Sequence, residues 1–328
     1  MFYTTLITLL PMFAQLFQTG GTDSTTQTVP DEGEVHTTIT LLDISSISEP
    51  EEMVIADFAV IFHWYDPELA SKEAPEIRTL SLDSINAPQF TVLNGRDVSE
   101  KFSKNAMITP EGLATYRQRY QGSLSTPMDL RPFPLDKPEF FIEITMIDQK
   151  GRTLSSDSRR SGMLKAPSVA GWDISEGELL FNEIRSRDGI VTLPTARLEF
   201  TGTRNLTFFT WKLLIPLSLI VCMAYTVFWL DPAVLPAQIS VATSSVFTLI
   251  AYNFALSTML PKSSYLTRAD IFIVGCTLLV FGALYESVVT GVLARKENSK
   301  ALARRIDQVA RYLFPVLFLG VISYAFFI

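Results

Sequence analysis

Two different spacings of hydrophobic residues divide the chain into two regions. Over residues 35–204, apolar side chains recur at every second position, most clearly at 54–64 and 142–146. A period of two predicts half-buried β-strands, because successive side chains of a strand point to opposite faces. The pairs Asn94-Gly95 and Asp188-Gly189 are turn signals between such strands. This pattern predicts a β-sandwich built from short strands.

The second region, residues 205–328, contains four long apolar stretches with almost no charge inside them. A helix needs about 20 apolar residues to cross the hydrocarbon core of a bilayer. Buried helices of a soluble protein are the alternative, but four such stretches in succession favour a membrane domain. The predicted spanning helices are 206–230, 237–260, 269–294 and 312–328.

The connection predicted at 295–311 sets the orientation. It carries six Lys and Arg residues against two acidic ones, and connections rich in Lys and Arg remain in the cytoplasm. We therefore predict a multi-pass protein of the plasma (inner) membrane, with the N-terminal domain outside or periplasmic. Residues 1–34 precede the sandwich, and their apolar stretch Met1–Phe17 fits either a signal peptide or a peripheral helix.

Composition supports this division and excludes several classes of function. The mean hydropathy is +0.25, and the formal charge is −11 over residues 1–204 but +4 over 205–328. The acidic balance argues against a nucleic-acid partner. Two Cys and two His leave too few ligands for a zinc site or a disulfide scaffold. The sequence also lacks the common catalytic motifs, so we expect no enzyme and no cofactor.

Hydroxyl side chains distinguish the second apolar stretch from the others. Steps of three and four residues place several of them on one face of a helix together with apolar side chains. Such hydroxyls can bond to helix carbonyls during packing in lipid, or they can line a pore formed by several copies. The pattern alone leaves both interpretations open. The residues on this face are Ser240, Ser244, Phe247, Ala251, Phe254 and Thr258.

Six motifs in order resemble the pentameric ligand-gated ion channels, the Cys-loop receptor superfamily. They include a W-x-D motif, a signature loop ending in aromatic-Pro-x-Asp, and an Arg twelve residues before the Pro of the first span. The motifs are Trp64–Asp66, Thr126–Asp136, Gly171–Ile174, Arg204 with Pro216, Leu260–Lys262 with Tyr265–Thr267, and Phe314–Leu319.

The resemblance implies a β-sandwich extracellular domain plus an all-α four-helix transmembrane domain, assembled as a homopentamer in membrane lipid. Thr126 and Phe140 stand where animal receptors have the two loop cysteines. Together with the short connection 295–311, this resembles the prokaryotic branch. A non-conducting membrane-anchored binding or sensor protein is the alternative from another class.

The residues that would bind an agonist differ from those of the known branches of the family. Positions that form an aromatic cage in amine-binding members correspond to Ala59, Leu93 and Ile147. Leu249 replaces the pore-helix histidine of a proton-gated member. The resemblance therefore implies an unidentified small molecule or a proton as agonist, rather than an acetylcholine-like ligand. Candidate ligand-binding residues are Asp148, Arg185, Arg187 and Asp188.

Ion selectivity and gating follow from the pore helix in this resemblance. The cytoplasmic mouth, Leu235–Gln238, contains no acid, and its Pro-Ala pair resembles anion-selective relatives. The acidic outer domain should concentrate cations, which favours Na⁺ and K⁺. We assign Gln238 to the pore lining as a source of amide oxygens, and Phe247 and Phe254 to the gate.

Coupling between the domains is expected at a cluster of charges. In the family, the turn containing Glu49, the signature loop ending at Asp136 and the last strand ending at Arg204 converge above the loop at Pro261 and Lys262. An arginine can form a fork with one or both carboxylates. We expect the cluster to transmit the opening signal.

Overall fold

The computed structural model describes most of both predicted domains. The described residues are 30–71, 76–147, 152–155, 161–165, 167, 169–185, 192–231, 234–257, 260 and 264–327. Most of the predicted N-terminal segment 1–34 falls outside them. The site residues that also fall outside are Asp148, Arg187, Asp188, Thr258, Pro261 and Lys262.

Thirteen strands within these ranges form the N-terminal domain as two sheets. The larger sheet has the order β10-β1-β2-β7-β6-β3, with β5 on β7 and β9 on β1; the smaller has β11-β13-β8-β4, with β12 on β13. The bounds are β1 Glu34–Ser48, β2 Met53–Tyr65, β3 Arg78–Ser81, β4 Phe90–Val92, β5 Gly95–Glu100, β6 Asn105–Ile108, β7 Leu113–Ser125, β8 Glu139–Met146, β9 Thr153–Ser155, β10 Gly162–Met163, β11 Trp172–Ile174, β12 Glu178–Arg185 and β13 Thr192–Arg204.

The predicted period of two accounts for the core of this sandwich. Phe58, Phe62 and Trp64 of β2 are buried, as their shared strand face requires. The ring of Phe62 stacks on Phe90 of the other sheet with centroids 3.5 Å apart. Phe140 of β8 packs edge-on against Trp172 of β11. The Phe62–Phe90 stack joins the two sheets, whereas the Phe140–Trp172 contact lies within the smaller sheet.

Four helices long and apolar enough to cross a membrane follow β13 directly. They are α1 Leu206–Trp229, α2 Leu235–Leu256, α3 Arg268–Ala294 and α4 Lys300–Phe327. Inside α1, the turn Thr210–Leu214 widens to a π-helix just before Pro216. Proline has no N–H to donate, so the regular hydrogen-bond ladder is interrupted there.

The fourth helix differs from its prediction. It begins at Lys300, whereas the apolar stretch begins at residue 312, so the predicted connection 295–311 is wrong in length. Residues 300–311 are charged on one side but still bury Ala303 and Asp307. They therefore continue the helix as an amphipathic segment, which a search for continuous apolar residues cannot detect.

Packing places α4 at the edge of the four-helix domain. The central helices α2 and α3 bury Leu249 and Phe272 among their neighbours. On α4, Phe314 stacks on Tyr225 of α1 at 5.8 Å, while the ring of Tyr312 is 80% exposed. Helix α2 buries one side against its neighbours, including Leu249, and leaves the side with Phe247 and Phe254 exposed.

Candidate functional site: the domain junction and the exposed face of helix α2

Arg204 joins two carboxylates where the sandwich meets the membrane domain. Its Nε and Nη2 donate to Asp136 Oδ1 and Oδ2 at 2.9 and 2.8 Å. Its Nη1 donates to Glu49 Oε1 at 2.6 Å. The planar guanidinium thus uses a two-bond fork for one acid and a single bond for the other, a geometry that lysine cannot reproduce.

This cluster is shielded from water. The side chains of Arg204 and Asp136 are 4% and 1% exposed, and that of Glu49 is 24% exposed. The guanidinium carbon also lies 4.1 Å from the ring of Trp172 and 4.8 Å from that of Phe133. Aromatic faces attract a cation, so the rings stabilise the guanidinium charge while they exclude solvent.

The signature loop Thr126–Asp136 also contacts the start of α3. The N–H of Arg268 donates to Arg131 O at 3.0 Å, and that of Ala269 donates to Phe133 O at 3.1 Å. The first N–H groups of a helix have no partner within the helix, and here the loop supplies the acceptors. Movement of the loop is therefore tied to the first turn of α3.

Tyr265, in the segment between α2 and α3, contacts the same loop. Its hydroxyl oxygen accepts a hydrogen bond from the N–H of Leu130 at 2.8 Å. The guanidinium of Arg131 lies 5.5 Å from the Tyr265 ring. Tyr265 belongs to one of the motifs that resemble the family, but this contact was not predicted from it. The nearby sequence indicates only that a helix begins after Tyr265, because Thr267 and Asp270 form a capping box.

The predicted pore residues of α2 lie largely on its exposed face. Phe247 is 67% exposed and Phe254 is 80% exposed, and Ser240, Ser244 and Ala251 are also exposed. The hydroxyl of Ser244 donates to Ser240 O at 2.8 Å. This bond satisfies the hydroxyl proton within the helix and leaves the oxygen lone pairs to face outward.

Gln238 does not lie on this face, which corrects its assignment to the pore lining. Its side chain is fully buried, and its Nε2 donates to Leu230 O just beyond the end of α1 at 3.1 Å. A helix leaves its last carbonyl groups unpaired, and this amide satisfies a carbonyl at the end of α1. Gln238 therefore has a structural contact within its own subunit, and Ser240 is the first predicted pore residue on the exposed face.

Of the four predicted ligand-binding residues, only Arg185 lies in the part of the chain that the structure describes. It ends β12, whose last four residues are exposed. Of the three cage positions, Leu93 and Ile147 are 44% and 49% exposed, whereas Ala59 is 7% exposed. Three aliphatic side chains at these positions offer no ring face for a cation–π contact.

An ion pair on the outer face of the large sheet was missed by the sequence analysis. Arg119 Nε on β7 donates to Asp57 Oδ1 on β2 at 2.8 Å. The hydrogen bond with Asp57 raises the pKa of Arg119 above its usual value, while burial lowers the pKa of neighbouring Arg117. Both arginines lie on one face because they are two residues apart on a strand. Only the strand register, which pairs Ala59 with Arg119, reveals the contact.

Comparison with known proteins agrees with this architecture. Residues 22–165 match the model of the neurotransmitter-gated ion-channel ligand binding domain, and residues 213–300 match that of the neurotransmitter-gated ion-channel transmembrane region. The first segment covers the sandwich as far as β10 and leaves out β11 to β13, and the second covers most of the helical domain.

Two relatives extend the match across both domains. A proton-gated ion channel of Gloeobacter violaceus is 23% identical over 292 residues, which cover 87% of this chain and 80% of that protein. The gamma-aminobutyric acid receptor subunit beta-4 of Gallus gallus is 27% identical over 309 residues, which cover 86% of this chain but 62% of the subunit. The chain thus belongs to the pentameric ligand-gated ion channels of the Cys-loop superfamily, membrane receptors with an extracellular ligand-binding domain and four spanning helices.

Proposed function

We propose that this chain forms a homopentameric, cation-selective channel that opens when its outer domain senses a small molecule or a change in pH. The observation that supports this most strongly is the exposed face of α2, where Ser240, Ser244 and Phe247 are uncovered within the subunit. Five copies of such a face around one axis enclose a pore with hydroxyl rings toward the cytoplasm and phenyl rings above them.

The phenyl rings account for closure. Phe247 and Phe254 are seven residues apart, about 10 Å along a helix. In a pentamer they form two apolar rings, and a narrow apolar constriction can stop ions by losing its water. The hydroxyls of Ser240 and Ser244 lie below these rings and offer oxygen atoms to ions whose hydration shell is partly removed.

Selectivity for cations rests on the charge of the outer domain. Residues 1–204 carry a formal charge of −11, which raises the concentration of cations above the pore. The contact of Gln238 with the end of α1 removes its amide from the mouth, so the residues there provide no fixed charge of either sign. The alternative is an anion-selective channel of the same family, and the experiments below distinguish the two.

The charge cluster of Glu49, Asp136 and Arg204 supports a route for the opening signal. It lies on three segments of the sandwich, and the signature loop that holds Asp136 binds the first turn of α3. A rearrangement of the sandwich that moves this loop therefore moves α3 and the adjoining segment with Tyr265. In this proposal Pro261 and Lys262, which the family resemblance assigns to the loop after the pore helix, also take part in the coupling.

The relatives frame the choice of agonist. One is named as proton-gated and the other as a subunit of a gamma-aminobutyric acid receptor. The aliphatic positions Leu93 and Ile147 favour a proton or a ligand without a quaternary ammonium. Asp148, Arg185, Arg187 and Asp188 remain the proposed contacts for such a ligand.

Thallium flux into liposomes tests the proposal without knowledge of the agonist. Phe247→Ser removes the proposed apolar ring and should admit thallium at rest, whereas the wild-type protein should admit it only after a pH step or addition of a ligand. Ile250→Ser, a neighbouring exposed position off the predicted pore face, is the matched control and should remain closed. Pentamers that admit no thallium even when Phe247 and Phe254 are both replaced by Ser would contradict the proposed pore, and pentamers that bind ligand without any flux would indicate the sensor alternative.

A further inference from the structure

Pro216 leaves one carbonyl group of α1 without its usual donor. In a regular α-helix the carbonyl of residue 212 accepts a hydrogen bond from the N–H of residue 216. Position 216 is proline, which has no N–H, and the turn Thr210–Leu214 just before it widens to a π-helix. In a membrane-spanning helix, a carbonyl freed in this way is commonly satisfied by a neighbouring helix.

The pore helix supplies the missing donor. The hydroxyl of Tyr252 on α2 donates a hydrogen bond to Lys212 O. The side chain of Tyr252 is half-buried, and its hydroxyl is the only polar group that it carries. A side-chain hydroxyl can separate from a carbonyl without unwinding the helix that holds the carbonyl, whereas a backbone N–H cannot. The interrupted turn of α1 is thus joined to α2 by a bond that can open and close.

This bond lies at the level of the proposed gate. Tyr252 follows Phe247 by five residues and precedes Phe254 by two, or about 8 Å and about 3 Å along the axis of α2. The contact of Gln238 with Leu230 O holds the other end of α2 to the end of α1, about 21 Å away along the same axis. Helix α2 is therefore attached to α1 near both ends, and the attachment beside the phenyl rings is that of Tyr252.

The first turn of α1 connects this bond to the charge cluster at the domain junction. The ring of Phe209 packs edge-on against Phe133 of the signature loop, with centroids 5.0 Å apart. The guanidinium carbon of Arg204 lies 5.7 Å from the same Phe209 ring. Phe209 immediately precedes the π-helical turn that contains Lys212. A displacement of the signature loop or of Arg204 therefore reaches the Lys212 carbonyl within about one turn of α1.

We propose that Tyr252 is a positioning residue of the gate, and that its bond to the Lys212 carbonyl transmits movement of α1 to the phenyl rings of α2. This inference rests on the proposed channel function. It adds a second connection, through α1, to the one that runs through the first turn of α3. Widened turns of this kind occur often at functional sites, and here the turn supplies the acceptor by which α1 holds the pore helix.

Hydrogen exchange of the pentamer in nanodiscs tests the contact itself. Tyr252→Phe keeps the ring and removes the donor, so amide exchange over residues 209–215 should become about fivefold faster, the equivalent of one hydrogen bond of about 1 kcal/mol. Tyr225→Phe is the matched control, because the hydroxyl of Tyr225 on α1 also donates to a backbone oxygen, Arg311 O on α4, at 3.1 Å. This control should leave exchange over 209–215 unchanged. Unchanged exchange there in Tyr252→Phe would overturn the proposal.

Single-channel recording tests the gating role. The Phe247→Ser variant should conduct without an agonist, and it retains the Phe254 ring beside Tyr252, so its currents can still open and close. In this background Tyr252→Phe should change the ratio of open to closed time at least fivefold in either direction, whereas Tyr225→Phe should leave it unchanged. Pro216→Ala restores the backbone donor, so the effect of Tyr252→Phe should fall below twofold when the two are combined.

Two results would overturn this inference. The first is a ratio of open to closed time that Tyr252→Phe leaves unchanged. The second is an effect of Tyr252→Phe that is equally large with Pro216 and with Ala at that position, because the hydroxyl would then act through another contact. An absence of current from every variant would instead contradict the proposed channel function, so the two failures are distinguishable.

Discussion

At Arg204 one guanidinium is shared by two acids and surrounded by aromatic rings, so its removal should be severe. Arg204→Ala leaves Asp136, which is 1% exposed, as a buried charge without its partner. Breaking a buried pair in this way typically costs about 3–5 kcal/mol. We predict that Arg204→Ala abolishes activation or assembly, as measured by agonist-evoked current and by size-exclusion chromatography of the pentamer.

Two further variants separate charge from geometry at this position. Arg204→Lys keeps the charge but loses the planar fork, so it should rescue activation only in part, and Asp136→Asn should impair it severely. Lys104→Ala is the control away from the junction, because its ion pair with Glu100 is exposed, at 3.3 Å, and such pairs contribute about 0–1 kcal/mol. Arg204→Ala pentamers that reach the membrane and respond normally would show that the cluster is not the coupling element.

Tyr265 provides a milder test of the same junction. Tyr265→Phe removes the acceptor for the N–H of Leu130, and an unsatisfied buried donor costs about 1–3 kcal/mol. We predict that this variant assembles normally but needs more agonist to open. Tyr312→Phe, whose ring is 80% exposed, should leave the agonist response unchanged. A Tyr265→Phe response that matches wild type would remove this hydrogen bond from the coupling route.

Individual residues show what sequence could and could not provide. The meeting of Arg204 with Asp136 and Glu49 was predictable because each ends or begins a segment with a recognisable motif. The burial of Gln238 was not, since it depends on a carbonyl at the end of α1 that helical periodicity does not reveal. The contact of Tyr265 was missed for the same reason, because its partner lies 135 positions away along the chain.

Two glycines of α3 allow the packing of the pore helix to be tested. A Cβ at Gly291 would overlap the end of the Leu235 side chain at the start of α2, whereas a Cβ at Gly282 would have no atom within 4 Å. Gly291→Val should therefore push the Leu235 side chain out of its place between α2 and α3, with an overpacking cost of about 1–3 kcal/mol. We predict a lower pentamer melting temperature and an altered single-channel conductance.

Gly282→Val is the matched control for this prediction. It introduces the same side chain into the same helix at an exposed position. It therefore measures how much valine alone, without a clash, changes the stability of the helix. If the two variants have the same melting temperature and the same single-channel conductance, the close packing of α2 and α3 does not set the width of the cytoplasmic mouth of the pore.

Among the elements, the strands and the first three spans followed closely from the spacing of apolar residues. The start of α4 did not, because residues 300–311 are held in the helix by contacts such as that of Arg311 with Phe228 O rather than by continuous apolarity. The π-helical turn of α1 was also not predicted. It arises from a single proline, and the spacing of apolar residues does not reveal it.

For the whole molecule, the separation of charge between the two domains predicts an effect of ionic strength. Residues 1–204 carry a formal charge of −11, and the field of this charge extends about 10 Å at 0.1 M salt but only about 3 Å at 1 M. We predict that the preference for cations over anions weakens as total salt rises at a fixed gradient. A preference independent of salt would place the selectivity in the hydroxyl rings of Ser240 and Ser244 instead.

The most direct test of the proposed function is the reversal potential of purified pentamers in planar bilayers with asymmetric NaCl. The leaky variant Phe247→Ser permits this measurement before the agonist is known, and the wild-type channel can follow once its agonist is identified. We predict unitary currents that reverse close to the sodium equilibrium potential. Currents that reverse near the chloride potential, or no currents from either protein, would contradict it.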